Sequence, residues 1–360
     1  MSAPEWCPIA SVEAEWDALA DRIHAEPWLR PGWFRAWTDA FSQRPVKCLV
    51  LRGRQGLRGL IPAVRHRSTV VSPTNWHSPG FGVIAEDDVT QRALLEALIA
   101  DVRNRLSLRF LSDDAAAVLR DCAVGHRATT RIILNSPYVE IGRETLSKNT
   151  RKHLRKAHRR LGERGSVTFE VVRASDEVTG VLDEGFAVEA AGWKGRKGTA
   201  IRSRPDSRRF YEQIARWAAQ RDLLRLFFLR VDGRAVAFAF VLQDHQRLYD
   251  LKSGFDEAFA HASPGVLITR EMLSYAAQEG LSTFEFLGDT ADWKLRFATG
   301  AHALHEVQIF GRSPVAAGQW LAQTYGGPCV RYVRTHTRPL ISRISAKSVP
   351  RAGLRSGPTE

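Results

Sequence analysis

The chain has 360 residues, of which 44% are hydrophobic and 25% charged. These fractions are ordinary for a globular protein and argue against intrinsic disorder, and the length predicts two compact domains or one large one. The formal net charge of +13 would attract the phosphates of nucleotides, coenzymes, nucleic acids or anionic lipids, although charge does not choose among them. An arginine-rich genomic composition would give the same charge.

Hydropathy and cysteine spacing exclude several classes. The longest strongly apolar run, AVAFAFVL, is too short to span a bilayer, and the first residues, MSAPEWCPIA, lack a basic flank followed by an apolar core. We therefore expect no integral membrane segment and a cytoplasmic location. The sequence contains no C-x-x-C pair, so it predicts neither a disulfide framework nor a metal site; its cysteines are Cys7, Cys48, Cys122 and Cys329.

The first elements predicted along the chain are helices rich in tryptophan. Apolar residues with helical spacing predict a packed helix rather than an aromatic ligand site; they are Val12, Trp16, Leu19 and Ile23. EPWLRPGWFRAWTDAF (26–41) predicts a second helix, and residues 46–64 predict two strands joined by a glycine-containing turn. The loop 72–82, rich in turn residues, is expected to expose Asn75, Trp76 and His77 and to line a groove between domains.

A strongly basic helix is predicted over residues 147–164. Ser147 or Asn149 would cap it, Gly162 or Gly165 would end it, and its narrow apolar stripe is Leu154, Ala157 and Leu161. Like charges repel along two adjacent rows of the helix; these are Lys148, Lys152, Lys156 and Arg160, and Arg151, Arg155 and Arg159. Either the helix has a solvated face, or it docks a polyanion.

The second half of the chain repeats the order of the first. After a strand (167–174) and a helix (176–190), residues 206–220 predict a helix with Phe210, Ile214 and Trp217 on one face. Two strands joined at Asp232-Gly233 follow, as helix and hairpin do in the first half about 178 residues earlier. A period of that length predicts two copies of one domain rather than a solenoid.

The remaining elements continue an α/β alternation. We expect a strand at 247–255, a helix at 264–279, a strand at 282–287, a short helix and a last strand at 303–310. Beyond Gly311 a basic amphipathic helix is predicted, with disorder past about Ser345.

The run Ser263-Pro264-Gly265 has the composition of a helix start beside a ligand. Serine caps the helix, proline takes the first helical position, and glycine lets a ligand approach the backbone. The free N–H groups and positive dipole of such a helix end suit a pyrophosphate. The same three residues also occur as ordinary helix punctuation.

Charged residues follow the strand that contains Glu285. Gly288 ends this strand, and Asp289, Asp292, Lys294 and Arg296 come just beyond it, where ligands bind in open α/β sheets. Lys294 or Arg296 would hold a phosphate or carboxylate, and Asp289 would position or deprotonate a nucleophile. Surface salt bridges are the alternative interpretation.

A third cluster, VEAAGWKGRKG, follows the helix that ends near Ala191. It contains Glu189, Trp193 and Lys194 in a glycine-rich basic loop, a composition typical of segments that close over a substrate. An exposed loop without function has the same composition.

Three runs together resemble GNAT-superfamily acyltransferases of the CelD-like or BioF-like group, which in turn resemble the Fem aminoacyl-tRNA-dependent peptidyltransferases. The runs are EAAGWKG, SPGVL and LGDTADWKLRF, and the N-terminal EPWLRPGWFRAW and LRGLIPAV also match. The resemblance covers roughly residues 10–310, and the order and spacing of the runs are more specific than any single run.

The resemblance implies an α/β fold with a mixed sheet (α+β), built from tandem GNAT-like domains of which the N-terminal one is degenerate. We expect domain boundaries at 1–145 and 146–315, with a basic helix and disordered tail over 316–360. The resemblance also implies a donor site at the start of the 264–279 helix, formed by Ser263, Pro264, Gly265, Val266 and Leu267. Backbone N–H groups of Leu251–Gly254 would polarise the thioester, and no covalent enzyme intermediate is needed.

The resemblance further implies transfer of an acyl group, from acetyl-CoA or another acyl-CoA, to an amine or hydroxyl of a polar metabolite, sugar or envelope precursor. Glu189, Asp289 and Lys294 are the catalytic candidates. Trp193, Lys194 and Arg296 are the substrate-binding candidates, and no metal is implied.

Other donors and functions stay open. The usual GNAT pyrophosphate loop has two glycines, whereas only Gly265 is present here. An acyl-carrier protein or an aminoacyl-tRNA, as in the Fem enzymes, is therefore an alternative donor. A non-catalytic protein that binds nucleic acid or a membrane surface on an inactive GNAT scaffold is a further alternative.

Overall fold

The computed structural model describes residues 3–143, 146–173 and 178–325. Its strands form where apolar residues alternate along the chain, and its helices form where apolar residues recur every 3.6 residues. The strands in that part are β1 Glu5–Pro8, β2 Val46–Gly53, β3 Gly56–His66, β4 Thr69–Val71, β5 Ile84–Ala85, β6 Arg105–Leu111, β7 Arg127–Glu140, β8 Val167–Arg173, β9 Leu224–Val231, β10 Arg234–Asp244, β11 Arg247–Phe255, β12 Thr283–Glu285 and β13 Gly300–Phe310. The helices are α1 Glu13–Arg22, α2 Pro31–Phe41, α3 Asp88–Ala100, α4 Asp113–Cys122, α5 Lys148–Gly162, α6 Val178–Ala190, α7 Trp193–Arg196, α8 Pro205–Ala219, α9 Pro264–Gln278 and α10 Asp292–Leu295.

All strands belong to one mixed sheet, which confirms the predicted α/β class. Its order is β1-β2-β3-β4-β6-β13-β7-β12-β11-β10-β9-β8, and β5 pairs with β3. Neighbouring named strands are antiparallel, except that β4 is parallel to β6 and β11 is parallel to β12. The two parallel pairs occupy equivalent places on either side of the centre of the sheet.

The two halves of the sheet repeat each other with the predicted offset. Four pairs of strands start 178 positions apart; their first residues are Val46 and Leu224, Gly56 and Arg234, Thr69 and Arg247, and Arg105 and Thr283. The parallel registers repeat as well, because Thr69 faces Arg105 and Arg247 faces Thr283. The duplication inferred from the sequence is therefore present in the fold.

The two central strands link the halves by exchange. β7 follows the last helix of the first half, α4, but pairs with β12 of the second half. β13 follows β12 along the chain but pairs with β6 of the first half, and β7 and β13 pair with each other. The predicted boundary near residue 145 lies between β7 and α5, and it stays a prediction.

The core confirms the packing role of most N-terminal tryptophans. Trp16 and Trp33 are fully buried, and Trp37 is nearly so. Trp76 is different, because 72% of it is exposed. α2 and α8 pack against each other across the two halves, and Gly32 makes this possible by lying directly against the Trp217 ring.

Two predicted elements are shorter than expected. The helix predicted over 26–41 is divided at Arg30, which has extended backbone between a 3-10 turn and α2. The strand predicted over 282–287 ends at Glu285, since Leu287 and Gly288 adopt left-handed backbone. Of the basic segment predicted after Gly311, residues 314–325 are helical, and the remainder lies outside the described residues.

The close contact of Gly32 with Trp217 predicts a large effect for a small substitution. A Cβ at position 32 would lie 2.1 Å from Trp217 Nε1, so Gly32→Ala should overpack the interface and lower the free energy of unfolding by about 1–3 kcal/mol. Chemical denaturation measures this. Gly180→Ala is the control, since the added methyl group meets nothing within 4 Å. It should be neutral or stabilising by about 0.5–1 kcal/mol, and equal losses in both variants would contradict the packing argument.

Candidate functional site

The site lies where β11 and β12 stop pairing. Their parallel ladder ends at Tyr249 and Glu285, while β11 continues to Phe255 with β10 as its neighbour. The β10–β11 register shifts here, because Phe240 faces Lys252 and Val241 faces Asp250, which leaves Leu251 as the extra residue of a bulge. Such bulges bend a strand and redirect its side chains. The sheet is thus open on one side of residues 250–255.

We call the resulting opening the central cleft. Residues 250–253 of β11 line one side and residues 286–289 line another, while Trp76 and His77 contribute from the first half. The loop predicted to border a groove between the halves therefore does so. His77 is less exposed than predicted, because its ring stacks on Phe41.

Asp250 is a carboxylate in the cleft that sequence analysis missed. It is 5% exposed, and burial raises its pKa to about 6. Its Oδ2 atom accepts a hydrogen bond of 3.1 Å from Ser253 Oγ, whereas Oδ1 has no hydrogen-bond partner in the described part of the chain. One carboxylate oxygen is thus free to accept a proton near neutral pH.

Two lysines and Glu189 form a second charged group. Glu189 is 1% exposed, and its Oε1 atom lies 3.5 Å from Lys194 Nζ and 3.8 Å from Lys252 Nζ. The other oxygen accepts the Ile201 N–H at 2.9 Å. Burial is the main cause that lowers the pKa of Lys252, to about 8. Glu189 therefore fixes the orientation of two cations, one of which can lose its proton in the physiological range.

Lys194 also shows which way the β11 backbone faces. Its Nζ donates a hydrogen bond of 2.6 Å to the Ser253 carbonyl. In an antiparallel strand the N–H and C=O groups of one residue point to the same side. The Ser253 N–H therefore lies on the side of β11 away from β10, within the range Leu251–Gly254 predicted to polarise a carbonyl.

The segment after β12 brings together only some of its predicted residues. Lys294 Nζ donates to the carbonyls of Leu287 and Asp289, at 2.6 and 3.0 Å, and burial lowers its pKa. The exposed Asp289 lines the central cleft, and its carboxylate accepts the Thr290 N–H at 2.8 Å. Arg296 is exposed and is not among the residues that line the cleft. Lys294 thus holds the turn that closes this side of the cleft.

A second opening, here called the donor slot, meets the central cleft at Trp193, Lys194, Ser253 and Trp293. Its walls include Phe255, Val266 and Ile268, and Ser263 and Gly265 lie at its edge. Pro264 and Leu267 are buried and are not among the residues lining the slot. The slot is a largely apolar opening beside the start of α9.

The start of α9 differs from the predicted cap. Pro264 takes the first helical position as predicted, but the prediction of a serine cap is wrong, because Ser263 is left-handed (φ 51°) and its side chain makes no capping hydrogen bond. The N–H groups of Val266 and Leu267 both donate to the Ser263 carbonyl, and proline has no N–H. Among the described residues, nothing accepts the Gly265 N–H, which leaves it as the donor of the first turn that a ligand could use.

Equivalent positions in the first half lack this chemistry. Ser72 lies 178 positions before Asp250, and Phe110 lies 178 positions before Gly288; both Phe110 and Gly288 are left-handed. α3, the counterpart of α9, is capped by Asp87, whose carboxylate accepts the Thr90 N–H. Its helix start is thus already occupied by a negative charge. The first half therefore lacks both the buried carboxylate and the open helix start of the second half.

Asp250 and Lys252 carried a signal in the sequence. They are charged residues two positions apart in a strand whose neighbours are mostly apolar or aromatic, where unpaired charge is costly. The duplication adds to this, since Ser72 and Thr74 stand at the equivalent positions. Comparing the two halves position by position would have indicated them.

The described residues contain neither a cluster of metal ligands nor a membrane-spanning helix. Within residues 3–143, 146–173 and 178–325, no group of three or more histidine, cysteine or acidic side chains is placed to hold a metal ion. In the same ranges, no helix is both long and apolar enough to cross a bilayer.

A comparison with protein families matches part of the second half. Residues 148–295 match the family model described as an acetyltransferase (GNAT) domain. A search of curated proteins finds no match. The GNAT assignment inferred from the sequence is therefore confirmed for this segment.

Several solved structures share the fold over most of their length. The C-terminal domain of a protein described as a lysylphosphatidylglycerol synthetase from Agrobacterium fabrum aligns at 14% identity over 88% of this chain and 96% of that chain, with a TM-score of 0.53. A structure described as L-PGS from Bacillus licheniformis aligns at 12% identity over 86% and 96%, with a TM-score of 0.55. FemX aligns at 13% identity over 89% and 99%, also with a TM-score of 0.55. At these identities the similarity shows a common fold.

The raised pKa of Asp250 predicts that its carboxylate destabilises the protein at neutral pH. The folded-state pKa is about 6 against an ordinary 3.8, so the stability contributed by the buried, protonated carboxyl is complete below the lower value and is lost as pH rises through the higher one. Asp250→Asn should therefore raise the free energy of unfolding at pH 7 by up to about 3 kcal/mol. The gain should shrink toward zero near pH 4.

Chemical denaturation at several pH values measures this difference. The exposed Asp292→Asn is the control and should show no such trend. A destabilised Asp250→Asn protein at pH 7 would contradict the burial argument.

Proposed function

We propose that this chain, whose residues 148–295 form a GNAT domain, is an acyltransferase that moves an acyl group from a thioester, acetyl-CoA or another acyl-CoA, to an amine or hydroxyl acceptor. The observation that carries the proposal is the free Oδ1 atom of Asp250 beside the open edge of β11. A base and a carbonyl-polarising N–H thus lie three residues apart on one strand. Attack on a thioester carbonyl requires both.

The proposed reaction is direct transfer. The acceptor nitrogen or oxygen attacks the thioester carbonyl, the C–S bond breaks as the new C–N or C–O bond forms, and Asp250 takes the proton that the acceptor loses. The Ser253 N–H stabilises the developing oxyanion. Lys252, with a pKa of about 8, is close in acidity to a thiol and returns a proton to the leaving thiolate.

The residues predicted from the sequence take supporting roles in this proposal. Glu189 acts as a positioning residue, because its carboxylate lies close to both Lys194 and Lys252. Asp289 and Lys294 shape the turn after β12, and Trp193 borders both openings. Arg296 stays a prediction as an anion clamp for an acceptor at the outer edge of the cleft. We propose a polar metabolite, a sugar or an envelope precursor as the acceptor.

The donor slot supports a pantetheine-type donor. Its lining is mostly apolar and includes Trp193, Phe255 and Trp293, and it joins the central cleft at Ser253. An extended arm with a thioester at its end fits such an opening. The Gly265 N–H is the backbone donor available to a pyrophosphate at the start of α9.

The basic helix α5 favours a second candidate, in which the donor is delivered by a polyanion. Arg160 of α5 donates a hydrogen bond of 3.0 Å to the His261 carbonyl, three residues before the start of α9. Arg151, Arg155 and Arg159 are exposed on the same helix. An aminoacyl-tRNA or an acidic acyl-carrier protein would find these charges beside the donor slot. Two of the structures with this fold are described as L-PGS and FemX.

The role of Asp250 predicts a specific pH dependence. Because the carboxylate must be deprotonated to accept a proton, kcat/KM should rise with pH and level off above about 6. Asp250→Asn should lower kcat by about 10²–10⁴-fold and remove this limb of the profile. Steady-state transfer assays over a pH series measure both effects. Asp292→Asn is the matched control, and wild-type turnover in Asp250→Asn would exclude Asp250 as the base.

Donor binding can be tested at the start of α9. A Cβ at position 265 would lie 3.0 Å from the Phe255 ring, so Gly265→Glu should close the slot and place a negative charge there. Calorimetric titration should show that wild-type protein binds acetyl-CoA and that the variant does not. Gly180→Glu, at an open helix position, is the control and should bind normally.

Other outcomes of the same titration separate the two candidates. Equal binding by wild type and Gly265→Glu would place the donor elsewhere. Wild-type protein that ignores CoA and acetyl-CoA but binds tRNA with a steep salt dependence would favour the aminoacyl-tRNA candidate.

A further inference from the structure

A second large cavity adjoins the central cleft on the side of the first half. It has a volume of about 430 Å³ and lies against the end of β6, the start of α4 and β13. The two openings share Pro79, Phe110, Leu287 and Leu304 in their walls. Phe110 and Leu287 both have left-handed backbone, which is rare for such large side chains. A single extended molecule could therefore pass from one opening to the other beside these residues.

The charge of this cavity is opposite to that of the protein. Four carboxylates line it, namely Glu26, Asp113, Asp114 and Glu285, against Arg247 and His302. The whole chain carries a formal net charge of +13. We call this opening the acidic cavity. A phosphorylated ligand would meet repulsion here, whereas a cation would be attracted.

The cavity also contains polar groups without full partners. Ser136 is 4% exposed, lines the cavity, and its Oγ atom makes no hydrogen bond within the described residues. The side chain of Glu285 is 4% exposed, and in the described part of the chain its Oε1 atom has only long contacts of 3.4 Å, with Arg247 and His302. Buried polar groups are normally paired. Their loose pairing indicates room for a ligand that donates hydrogen bonds.

Aromatic rings complete the wall. Trp28 and Tyr249 meet edge to face, with 4.9 Å between ring centroids, and both line the cavity together with Phe81. Aromatic faces attract ammonium and guanidinium groups. The cavity thus combines carboxylates, the Ser136 hydroxyl and aromatic faces, and all three favour an ammonium or guanidinium group.

We propose that the acidic cavity binds a second, positively charged end of the acceptor, an ammonium or guanidinium group, while the end that receives the acyl group lies in the central cleft. The inference rests on the acyl transfer proposed above and narrows its acceptor to diamines, basic amino acids and amino sugars with a distal cation. Both halves of the duplicated fold then contribute to acceptor selection, through Glu26 of the first half and Glu285 of the second.

The test compares linear diamines, from propanediamine to octanediamine, with monoamines of the same chain length by calorimetric titration of the full chain. At least one diamine should bind about 10-fold or more tightly than its monoamine, as expected for a charge-assisted hydrogen bond. Glu285→Gln should remove this preference without changing monoamine binding. Glu26→Gln, at a half-buried position, provides a second variant in case Glu285→Gln does not fold.

The control variant is Glu163→Gln, an exposed position at the end of α5, which should keep the diamine preference. Equal binding of diamines and monoamines, or equal losses for both in the glutamine variants, would overturn the inference. Competition for the diamine site by a sugar phosphate would also overturn it, since the acidic cavity should repel such a ligand.

Transfer assays on the same preparations separate this inference from the proposed function. Transfer that depends on Asp250 but shows no preference for diamines would leave the acyltransferase proposal standing and remove the acidic cavity as a cation site. A diamine preference that Glu285→Gln abolishes, without acyl transfer to any amine, would support the cation site and contradict the proposed function.

Discussion

The structure depends on one interrupted ladder. β11 is held on both sides up to Tyr249 and on the β10 side beyond it, so the centre of a wide sheet contains an opening. Everything assigned to the chemistry borders this gap: Asp250 and Ser253 on the strand itself, Lys194 across from it, and the left-handed turn at Leu287 and Gly288. A fully paired β11 would direct its N–H groups into the sheet and leave none for a ligand.

Burying charged side chains near the gap lowers the stability of the protein, and the proposed acyl transfer uses the same side chains. Asp250 and Lys252 flank the same bulge, and burial moves their pKa values toward neutrality from opposite sides. Glu189 limits the cost by facing both Lys194 and Lys252. The first half shows the alternative, since the uncharged Ser72 occupies the position equivalent to Asp250 and its oxygen accepts the Arg109 N–H. At this position the first half keeps the framework without a buried carboxylate.

Local patterns predicted most of the fold, because the strands and helices follow apolar periodicity and turn residues. Neighbouring residues determine the hairpin at Asp232-Gly233 and the basic helix α5. The 178-residue repeat was visible because it repeats the order of such locally determined elements. The pairing of β7 with β12 and of β13 with β6 depends on residues far apart in the chain, so no local signal indicated it.

The site residues also divide into those that a local run indicates and those that it does not. Glu189, Trp193 and Lys194 were found through their run. Asp250 was missed, although comparing the two halves would have indicated it, because its burial beside the cleft depends on the bulge in β11. The serine cap at Ser263 failed for a related reason, since the left-handed backbone at that position depends on the preceding turn.

The exchange of the central strands has a consequence for how the protein is made. Ser107 in β6 donates a hydrogen bond to Glu306 in β13 across 199 positions of the chain, and Arg131 in β7 also donates to Glu306. β6 of the first half cannot pair with β13 until residues 300–310 have been synthesised and have left the ribosome. During synthesis the β6 edge is therefore an unpaired strand edge, of the kind that invites association with other chains. Such non-local pairing slows folding. The order in which the strands are synthesised therefore affects how this chain folds.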